Sequence, residues 1–469
     1  MEGLEVSEVG LSELERTKRI DSEFYRKENL KILAFIEKKE GRSLTDFVHI
    51  SDGNHMSISD EFIDVGIPYY RGQDVHSFFI ENSNPVCIDE NIYNKPVLQR
   101  SHLKYGDILL SIVGTIGKLS LVSTHNKATC SCKLAILRPK SNVSSELLAM
   151  FLNCKYGQNQ IQKFVRGAVQ MGLILEDMDQ LYIPNFSKSF DKQISQKIQS
   201  AKELIEQSQK LYHQAEEMLL QEIGLSDFGS SIKNVNIKSF GKSFLETGRL
   251  DAEYYQPKYE EIMNKAMKGN YASLDDLVKI KKSIEPGSDF YSDTGIPFLR
   301  VADYNQFEIT PPEIHLSEKF CKENDKLIKS LYPRKKTILF SKDGSVGTAY
   351  MVREDIQAVT CGALLHLTVK DKKKVLPEYL TLVLNSQIVR KQAERDAGGS
   401  IILHWRIEEI KQVVIPIIDY KLQQKIALLI EKSFSFRKES GQLLELAKKA
   451  VEKSIEEGEG KAIRMIGGV

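Results

Sequence analysis

One glycine-rich segment comes closest to a known catalytic chemistry. Gly114 and Gly117 are separated by two residues and followed by Lys118 and Leu119. A phosphate-binding P-loop needs four residues between its glycines and a Ser or Thr after its lysine, so we do not expect nucleotide binding. The segment is either a hairpin turn that needs positive φ or a loop whose bare N–H groups approach phosphate, and both interpretations stay open.

No other catalytic chemistry is indicated. The nine histidines and the carboxylates form no zinc-type or triad-type cluster, and the six cysteines show neither zinc-ligand spacing nor a disulfide framework. Ile183-Pro-Asn-Phe186 differs from the Asn/Asp-Pro-Pro-aromatic tetrad of amino-methyltransferases, and no glycine-rich cofactor loop follows a strand. The sequence therefore predicts no enzyme activity, no catalytic residue, no metal and no cofactor.

The composition is typical of a folded chain in a reducing compartment. The 469 residues, 41% hydrophobic and 28% charged, suggest about two to four domains. No secretory signal opens the chain, and the longest apolar stretch, 108–113, is too short to cross a bilayer. We therefore expect a cytoplasmic protein that does not enter a membrane. A net charge of +1 neither proves nor excludes nucleic-acid binding.

The chain repeats itself after about 230 residues. Thr17–Tyr25 matches Thr247–Tyr255, and Ile108–Gly117 matches Ile338–Gly347, each 230 residues later. Seven matches occur in order, with an offset that varies only between 228 and 232 residues. This period is far too long for a solenoid repeat, so we interpret it as a duplicated domain in which each copy can fold alone.

Each copy is predicted to be a mixed α/β globule. A helical lead-in is followed by short apolar strands that end at glycine, then a helix, and a closing segment that ends in proline. The predicted strands are 107–113, 133–138, 337–341 and 363–369, and the predicted helices are 23–39, 144–153, 253–267 and 377–386.

A long polar helix with a narrow apolar stripe follows each globule. The stripe has the alternating four- and three-residue spacing of a coiled-coil seam, which favours pairing of the two helices over each helix covering its own sheet. The stripe residues are Ile194, Ile198, Ala201, Ile205, Ser208, Tyr212, Ala215 and Leu219 in the first helix, and Leu422, Ile426, Leu429, Ser433, Phe436, Ser440, Leu443 and Ala447 in the second.

The predicted fold class is α+β. It has two tandem duplicated domains, separated by two long antiparallel coiled-coil helices and related by a pseudo-two-fold axis. The predicted boundaries are 1–185 for the first domain, 186–223 for the first helix, 224–417 for a connector and the second domain, 418–457 for the second helix, and 458–469 for a tail.

Three segments resemble the specificity subunit of Type I restriction-modification systems. Tyr105-Gly-Asp-Ile-Leu-Leu-Ser111 with Gly114-Thr-Ile-Gly-Lys118 is similar to one family segment. Residues 169–184 are similar to another, and Gln423-Gln-Lys-Ile426 is similar to the entry of the family's spacer helix. The second copy departs from the pattern, with Lys336-Thr337 in place of Gly106-Asp107. The Type IIB specificity subunit is a close variant that the sequence does not distinguish.

The resemblance implies a non-catalytic protein that binds double-stranded DNA. Each domain would read one half of a split target, and the helices would set the unread gap. The implied partners are two adenine methyltransferase subunits and, in some systems, a translocase-nuclease subunit. Two other classes of protein are the alternatives: an enzyme, for which no motif is present, and a coiled-coil adaptor that binds only protein. The residues implied to form the partner-binding helices are Ile194, Ile198, Ile205, Tyr212, Leu219, Leu422, Ile426, Leu429, Phe436 and Leu443.

The resemblance also implies that some side chains contact DNA, through the usual major-groove pairings of Arg with guanine and Gln with adenine. Arg71 and Arg300 occupy matching positions, so a shared structural or phosphate role is the alternative for them. The better candidates for base reading, which differ between copies, are Gln73, Lys342, Asp343 and His404. The candidates for phosphate contact are Lys118, Lys133 and Arg166. The full set is Arg71, Gln73, Gly114, Thr115, Gly117, Lys118, Lys133, Arg166, Gln170, Arg300, Lys342, Asp343, Ser345 and His404.

Two further features have competing interpretations. Trp405, the only tryptophan, is expected to be a core or interface anchor, with base stacking as the alternative. Asp21 and Asp251, each followed by an aromatic pair, are expected to cap a helix and fill the core, with methyltransferase docking as the alternative.

Overall fold

A computed structural model describes residues 5–17, 19–63, 65–83, 85–141, 143–167, 171–226, 235–399 and 402–467. The chain divides into two compact units. The first combines the residues up to Ile205 with those from Lys438 onward, and the second is Glu206–Arg437. Within the described ranges, no helix is both long enough and apolar enough to span a membrane.

The first unit is built on a four-stranded antiparallel sheet in the order β2-β8-β5-β6. A second sheet has the order β4-β3-β7, and β1 pairs with β9. The strands are β1 Arg42–Ser43, β2 Val48–Asp52, β3 Ile67–Tyr70, β4 Val86–Ile88, β5 Ile108–Ser111, β6 Leu119–Leu121, β7 Thr129–Cys130, β8 Leu134–Pro139 and β9 Tyr182–Ile183. The helices are α1 Leu11–Thr17, α2 Lys27–Glu37, α3 Leu44–Phe47, α4 Glu90–Tyr93, α5 Ser145–Asn153, α6 Lys155–Lys163 and α7 Lys188–Glu222, which continues into the second unit.

The second unit repeats this arrangement with sheets β11-β18-β15-β16, β12-β14-β13-β17 and β10-β19. Its strands are β10 Tyr271–Ser273, β11 Val278–Lys282, β12 Tyr291–Ser292, β13 Ile296–Leu299, β14 His315–Leu316, β15 Ile338–Ser341, β16 Ala349–Met351, β17 Val359–Thr360, β18 Leu364–Val369 and β19 Val414–Pro416. Its helices are α8 Pro257–Ala266, α9 Leu274–Leu277, α10 Glu318–Glu323, α11 Asp325–Ser330, α12 Pro377–Asn385, α13 Gln387–Asp396, α14 Ile407–Lys411 and α15 Tyr420–Glu457, preceded by a π-helical segment Gly241–Leu245. α15 continues into the first unit, where α16 Glu459–Gly467 follows it.

The two central sheets share one register. Ile108 pairs with Leu137 and Leu121, and the residues 230 positions later, Ile338, Leu367 and Met351, pair in the same way. The central strands β5 and β15 are fully buried, because each lies between two strands and under helices. The predicted α+β class with duplicated mixed domains and two long helices is therefore confirmed.

The turn before the central strand survives a substitution that should disfavour it. Gly106 has a φ of 85° in the first copy, and Lys336 has a φ of 68° in the second. A side chain in this left-handed region costs about 1–2 kcal/mol. The Lys336 ammonium lies 2.9 Å from the buried Glu378 carboxylate, and this ion pair offsets part of the cost.

Small residues let the two long helices approach closely. In the first unit, Ser440 Oγ donates to the main-chain oxygen of Ala201 at 2.8 Å. In the second, Ser433 Oγ donates to the main-chain oxygen of Ser208 at 2.8 Å, and the two serine hydroxyls are 2.9 Å apart. Such bonds need the two backbones close together, which larger side chains would prevent. The fully buried small residues are Ala201, Ser208, Ala215, Ser433, Ser440 and Ala447.

The pairing is antiparallel in the first unit. Ser440 lies beside Ala201, whereas Glu459, further along the chain, accepts hydrogen bonds from Ser187, earlier in the chain. The helices also cover the sheets: Ile194 and Ile198 belong to the same core cluster as strand residues such as Leu110. Both interpretations of the stripe are thus partly right.

The predicted register of the second stripe is off by one residue at two positions, Leu422 and Leu429. Ile426, Ser433, Ser440 and Ala447 are buried as predicted, but their buried neighbours are Gln423 and Ile430. The predicted neighbours Leu422, Leu429, Phe436 and Leu443 are only half-buried. Gln423 lies against the globular domain, where its Oε1 atom accepts a hydrogen bond from the Leu376 N–H at 3.0 Å. Along the first helix, Ile194, Ile198, Tyr212 and Leu219 are buried and Ile205 is half-buried.

We predict that Ser440→Leu lowers the free energy of unfolding by about 1–3 kcal/mol, because the added volume has no space between the backbones. Gln442→Leu, on the exposed side of the same helix, is the matched control and should change it by less than about 0.5 kcal/mol. Urea unfolding followed by circular dichroism checks both. Equal midpoints for the two variants would contradict close packing at Ser440.

Candidate nucleic-acid interface

The glycine-rich segment closes the β5–β6 hairpin. Gly117 N donates to Ser111 O at 3.0 Å, Ser111 N donates to Lys118 O at 2.8 Å, and Gly114 and Gly117 have φ values of 82° and 89°. In the second unit Gly347 N and Ser341 N make the corresponding bonds at 2.9 and 3.0 Å. The hairpin interpretation of the segment is therefore right in both copies.

Two other segments join the residue that follows the central strand. Ile112 N donates to Lys133 O at 3.0 Å, and Leu173 N donates to Ile112 O at 2.9 Å. Val113 forms a bridge with Gly172, which also exchanges two main-chain hydrogen bonds with Arg166. This end of the sheet therefore gathers the hairpin, the start of β8 and the loop after α6. We call these three segments the loop cluster.

The second unit has the same backbone frame around its own loop cluster. Lys342 N donates to Ala363 O at 2.9 Å, and Trp405 N donates to Lys342 O at 2.8 Å. Asp343 forms a bridge with His404, which also exchanges two main-chain hydrogen bonds with Gly398. Each bond has a counterpart in the first unit, so the two frames are equivalent residue by residue.

The side chains on these equivalent frames differ. The first unit has Ile112, Val113 and Gly172 where the second has Lys342, Asp343 and His404. In the second unit, Asp343 Oδ1 lies 2.9 Å from His404 Nδ1, and the other carboxylate oxygen pairs with the Lys342 ammonium. The His404 side chain stays 64% exposed. Three predicted base-reading residues thus form one connected polar cluster in the second unit.

Arg71 and Arg300 have the shared structural role that was considered for them. Each main-chain N–H donates to a carboxylate three residues later, Asp74 or Asp303, at 2.8 Å. The guanidinium Nε atoms lie 3.2 and 3.5 Å from the same carboxylates. Asp74 and Asp303 were not among the predicted site residues. The Arg-x-x-Asp spacing in both copies was the available signal, because it is the spacing of a capping box.

The turn after Arg71 contacts the glycine hairpin. Thr115 Oγ1 donates to Gly72 O at 3.0 Å and lies 3.0 Å from Ser111 Oγ. Gln73, next in the chain, is exposed. In the second unit, Ser345 O accepts a hydrogen bond from Ser341 Oγ inside its own hairpin. The candidates Gln73 and Thr115 are therefore brought to the loop cluster, and Ser345 acts through its main chain.

Positive charge flanks the first loop cluster. Lys118 and Lys133 are exposed, and their main-chain oxygens accept hydrogen bonds from consecutive residues, Ser111 and Ile112. Within the ranges that the structure describes, neither ammonium has a hydrogen-bonding or ion-pair partner. Arg166 differs, because its guanidinium pairs with Asp177. Burial raises the pKa of Asp177, although Arg166 opposes the shift. Gln170 lies outside the described residues.

Trp405 is a core residue, as expected. Its side chain is 1% exposed and its ring centroid lies 5.8 Å from that of Phe340 under the loop cluster. Burial therefore excludes the alternative in which the indole stacks on a base. In the described part of the chain, no group of three or more His, Cys, Asp or Glu side chains could hold a metal ion.

A buried histidine lies behind the second cluster. His366 Nε2 is 2.8 Å from Thr360 Oγ1, and burial, with a smaller effect of Lys281, lowers the pKa of His366 to about 4. The matching residues of the first unit, Cys130 and Ile136, are also fully buried. Neither of them carries a basic group whose protonation burial would oppose. The two sheets thus carry the same frame, with a buried imidazole at this position only in the second.

The fold and the two loop clusters define a protein with two related recognition domains that share one frame and differ in their exposed side chains. The chain belongs to the family of the Type I restriction modification DNA specificity domain, whose model matches residues 36–217 and 269–445. The chain carries this domain twice, and the resemblance that the sequence motifs indicated is confirmed.

Individual relatives are more distant. The Type I restriction enzyme EcoBI specificity subunit of Escherichia coli is 25% identical over 156 residues, which is 33% of this chain and 31% of that relative. Among solved structures, the Type I S subunit from M. genitalium matches 91% of this chain and 95% of its own, with 14% identity and a TM-score of 0.33. The HsdS subunit from Thermoanaerobacter tengcongensis matches 89% and 96%, with 14% identity and a TM-score of 0.29.

We predict that acid destabilises the second unit through His366. Its folded pKa of about 4 is below the unfolded value of 6.5, so its contribution is complete above pH 6.5 and is lost as the pH falls towards 4. At pH 5 the free energy of unfolding is therefore about 2 kcal/mol lower than it is at neutral pH, from His366 alone. The double variant Thr360→Cys with His366→Ile copies the first unit and should lack this part of the pH dependence. Unfolding free energies of both proteins at pH 7 and pH 5 check it, and equal losses in both would contradict the assignment.

Proposed function

We propose that the protein is the DNA-sequence specificity subunit of a Type I restriction-modification enzyme. Each unit reads one half of a split double-stranded target. The paired helices set the unread gap and dock two adenine methyltransferase subunits, with a translocase-nuclease subunit as a further partner in the complete enzyme. Methylation and cleavage are the work of those partners, and this chain supplies recognition without catalysis in the cytoplasm.

One observation carries the proposal: two equivalent backbone frames present different side chains at the same place. A shared frame keeps the approach to the DNA backbone the same, whereas different side chains allow two different half-sites. Membership of a DNA specificity family adds independent support.

The second unit offers a specific hydrogen-bond acceptor to a base. Asp343 accepts from His404 Nδ1, and this bond favours the tautomer with its proton on Nδ1. The exposed Nε2 atom then carries a lone pair. In the major groove, such an acceptor complements the exocyclic amine of adenine or cytosine. The first unit has Gly172 at this position, so its half-site is read by other groups, among which we propose Gln73.

Lys118 and Lys133 are assigned to the phosphate backbone. Both ammonium groups are exposed beside the loop cluster, and lysine contacts phosphate as a point charge. Such contacts position the protein and carry no sequence information. We propose the same role for the glycine hairpin, whose exposed Gly114 leaves room for a phosphate to approach the main chain.

The gap-setting role is tested by lengthening both helices. One heptad is added to α7 between Ala201 and Ser208 and one to α15 between Ser433 and Ser440, so that the small-residue seam is kept. The insertion adds about 10 Å, and we expect about three more base pairs between unchanged half-sites. Single-molecule sequencing of adenine methylation in cells that carry the methyltransferase of the system reads the result.

Two controls accompany the insertion. In the first control, the residues already present between Ala201 and Ser208 and between Ser433 and Ser440 are replaced without a change of length, which should leave the methylated motif unaltered. In the second, deletion of the gene should remove the motif altogether. A methylated motif that persists after the deletion would exclude the specificity role. A longer helix pair with an unchanged gap would exclude the gap-setting role alone.

Base reading and phosphate contact are separated by their dependence on salt. We expect His404→Ala to weaken binding of the specific site about tenfold without changing the slope of log K against log salt. Lys118→Ala with Lys133→Ala should weaken binding to all sequences and reduce the slope by about 1 for each contact. Fluorescence anisotropy measures the affinity for DNA at salt concentrations from about 50 to about 200 mM, the range over which such slopes are determined.

The matched control for the lysine variants is Lys425→Ala, an exposed lysine on α15 that should change neither affinity nor slope. Affinity that does not depend on salt in the unmodified protein would favour the protein-only adaptor. A changed slope in His404→Ala would place that residue at the backbone instead of a base.

A further inference from the structure

Both units open with the same locked loop. We call residues 17 and 19–25 the first opening loop and 247–255 the second. In each, a tyrosine hydroxyl, of Tyr25 or Tyr255, is hydrogen-bonded to the hydroxyl of Thr17 or Thr247. Tyr25 Oη also donates to Arg19 O at 3.1 Å, and Tyr255 Oη makes the same bond in the second loop at 3.0 Å. The two loops therefore have one conformation fixed by the same bonds.

An arginine–aspartate pair braces each loop. Arg19 Nε lies 2.6 Å from Asp21 Oδ2, and Arg249 contacts both carboxylate oxygens of Asp251 at 2.8 and 2.6 Å. Each guanidinium also packs over the following aromatic ring, at 4.9 Å in the first loop and 4.5 Å in the second. The hydrogen bond from arginine lowers the pKa of both aspartates. The arginine and aspartate charges are thus paired, and the exposed Glu23 and Glu253 leave each loop with no net positive charge to attract DNA.

The braces hold an aliphatic side chain out in solvent. Ile20 is 91% exposed and Leu250 is 66% exposed, each between the arginine and the aspartate of its pair. Further apolar side chains are exposed in the chain segment just before each loop. They are Val6 and Leu11 in the first unit and Val235, Ile237, Phe240, Phe244 and Leu245 in the second. Exposed apolar patches of this kind mark protein-binding surfaces.

A rigid loop with an exposed aliphatic tip suits insertion into an apolar pocket. The loop is ordered before binding, so little conformational entropy is lost when a partner closes over it. Folding of this chain gains nothing from exposing Ile20 or Leu250, since hydration of aliphatic side chains is unfavourable relative to burial. The duplication identifies the kind of partner, because the same loop in both units calls for the same surface twice.

We propose that the two opening loops are equivalent docking sites for two copies of the methyltransferase subunit, with Ile20 and Leu250 each inserted into an apolar pocket of one copy. This inference rests on the proposed function, in which the paired helices dock the same two subunits, and it adds one inserted side chain from each unit to that docking surface. The loop clusters contrast with the opening loops: their side chains differ between units, as recognition of two half-sites requires, whereas the docking loops are alike.

The test uses the full chain mixed with the purified methyltransferase subunit of its system, with stoichiometry and affinity measured by mass photometry and sedimentation velocity. We expect two bound copies for the unmodified protein. Ile20→Asp and Leu250→Asp should each weaken the binding of one copy at least tenfold and leave the other copy unaffected, and the double variant should weaken the binding of both copies. Ile20→Ala and Leu250→Ala should give smaller losses in the same order.

The matched controls are Val97→Asp and Leu327→Asp, which place the same charge at exposed aliphatic positions outside the loops. Two bound copies with affinities within twofold in the double variant would overturn the proposal, as would equal losses in the controls. Loss of self-association of this chain, with methyltransferase binding intact, would assign the loops to a second copy and also overturn it.

DNA binding by the same variants separates this inference from the proposed function. Isolated Ile20→Asp and Leu250→Asp chains should bind the split site with unchanged affinity, because the loops do not read DNA. Failure of the unmodified chain and its complex to bind DNA specifically would exclude the proposed function. The docking proposal would then be decided by the measured number and affinity of bound methyltransferase copies.

Discussion

The close contact between α7 and α15 is the constraint on which each unit depends. Serine hydroxyls that donate to main-chain carbonyls of the facing helix fix the separation of the two backbones in both units. Ala and Ser recur every seven residues at this contact, and their small size leaves the helices' other faces free to carry Ile194, Ile198 and Ile426 into the globular cores. The helix pair therefore covers one face of the central sheet in each unit, in addition to forming its own interhelical contact.

Main-chain hydrogen bonds explain how the two copies could diverge in side chains and keep the same backbone frame. The positions after the central strands, Ile112 and Lys342, differ completely in chemistry yet make the same two main-chain hydrogen bonds. Main-chain bonds do not depend on side-chain type, so substitutions here change what a unit presents and leave its shape intact. The same logic holds in the cores, where Cys130 and Ile136 are replaced by the hydrogen-bonded pair Thr360 and His366.

Much of this architecture could be predicted because the repeat made each copy a check on the other. The central strands, the helices that follow them and the two long helices are set by local periodicity, which is readable in sequence. What failed depended on contacts between distant residues. Leu429 satisfied the coiled-coil spacing, but the buried residue is Ile430, on the same side of the helix as Gln423, which bonds to the globular domain. The bond that joins Asp343 to His404 spans 61 residues, and no local sequence pattern indicates it.

The first unit is discontinuous in sequence, and this has a consequence for how the chain folds. Residues 206–437 form the second unit without interruption, whereas the first unit needs residues from both sides of it. Ala447, Val451, Ile455 and Ile466 complete the first core, and the ribosome makes them after the whole second unit. During synthesis, the second unit can close while the earlier-made first sheet still waits with an uncovered apolar face. The second unit can therefore complete its fold before the first, although the first begins to be translated earlier. The residues from Lys438 onward complete the core of the unit that was begun first.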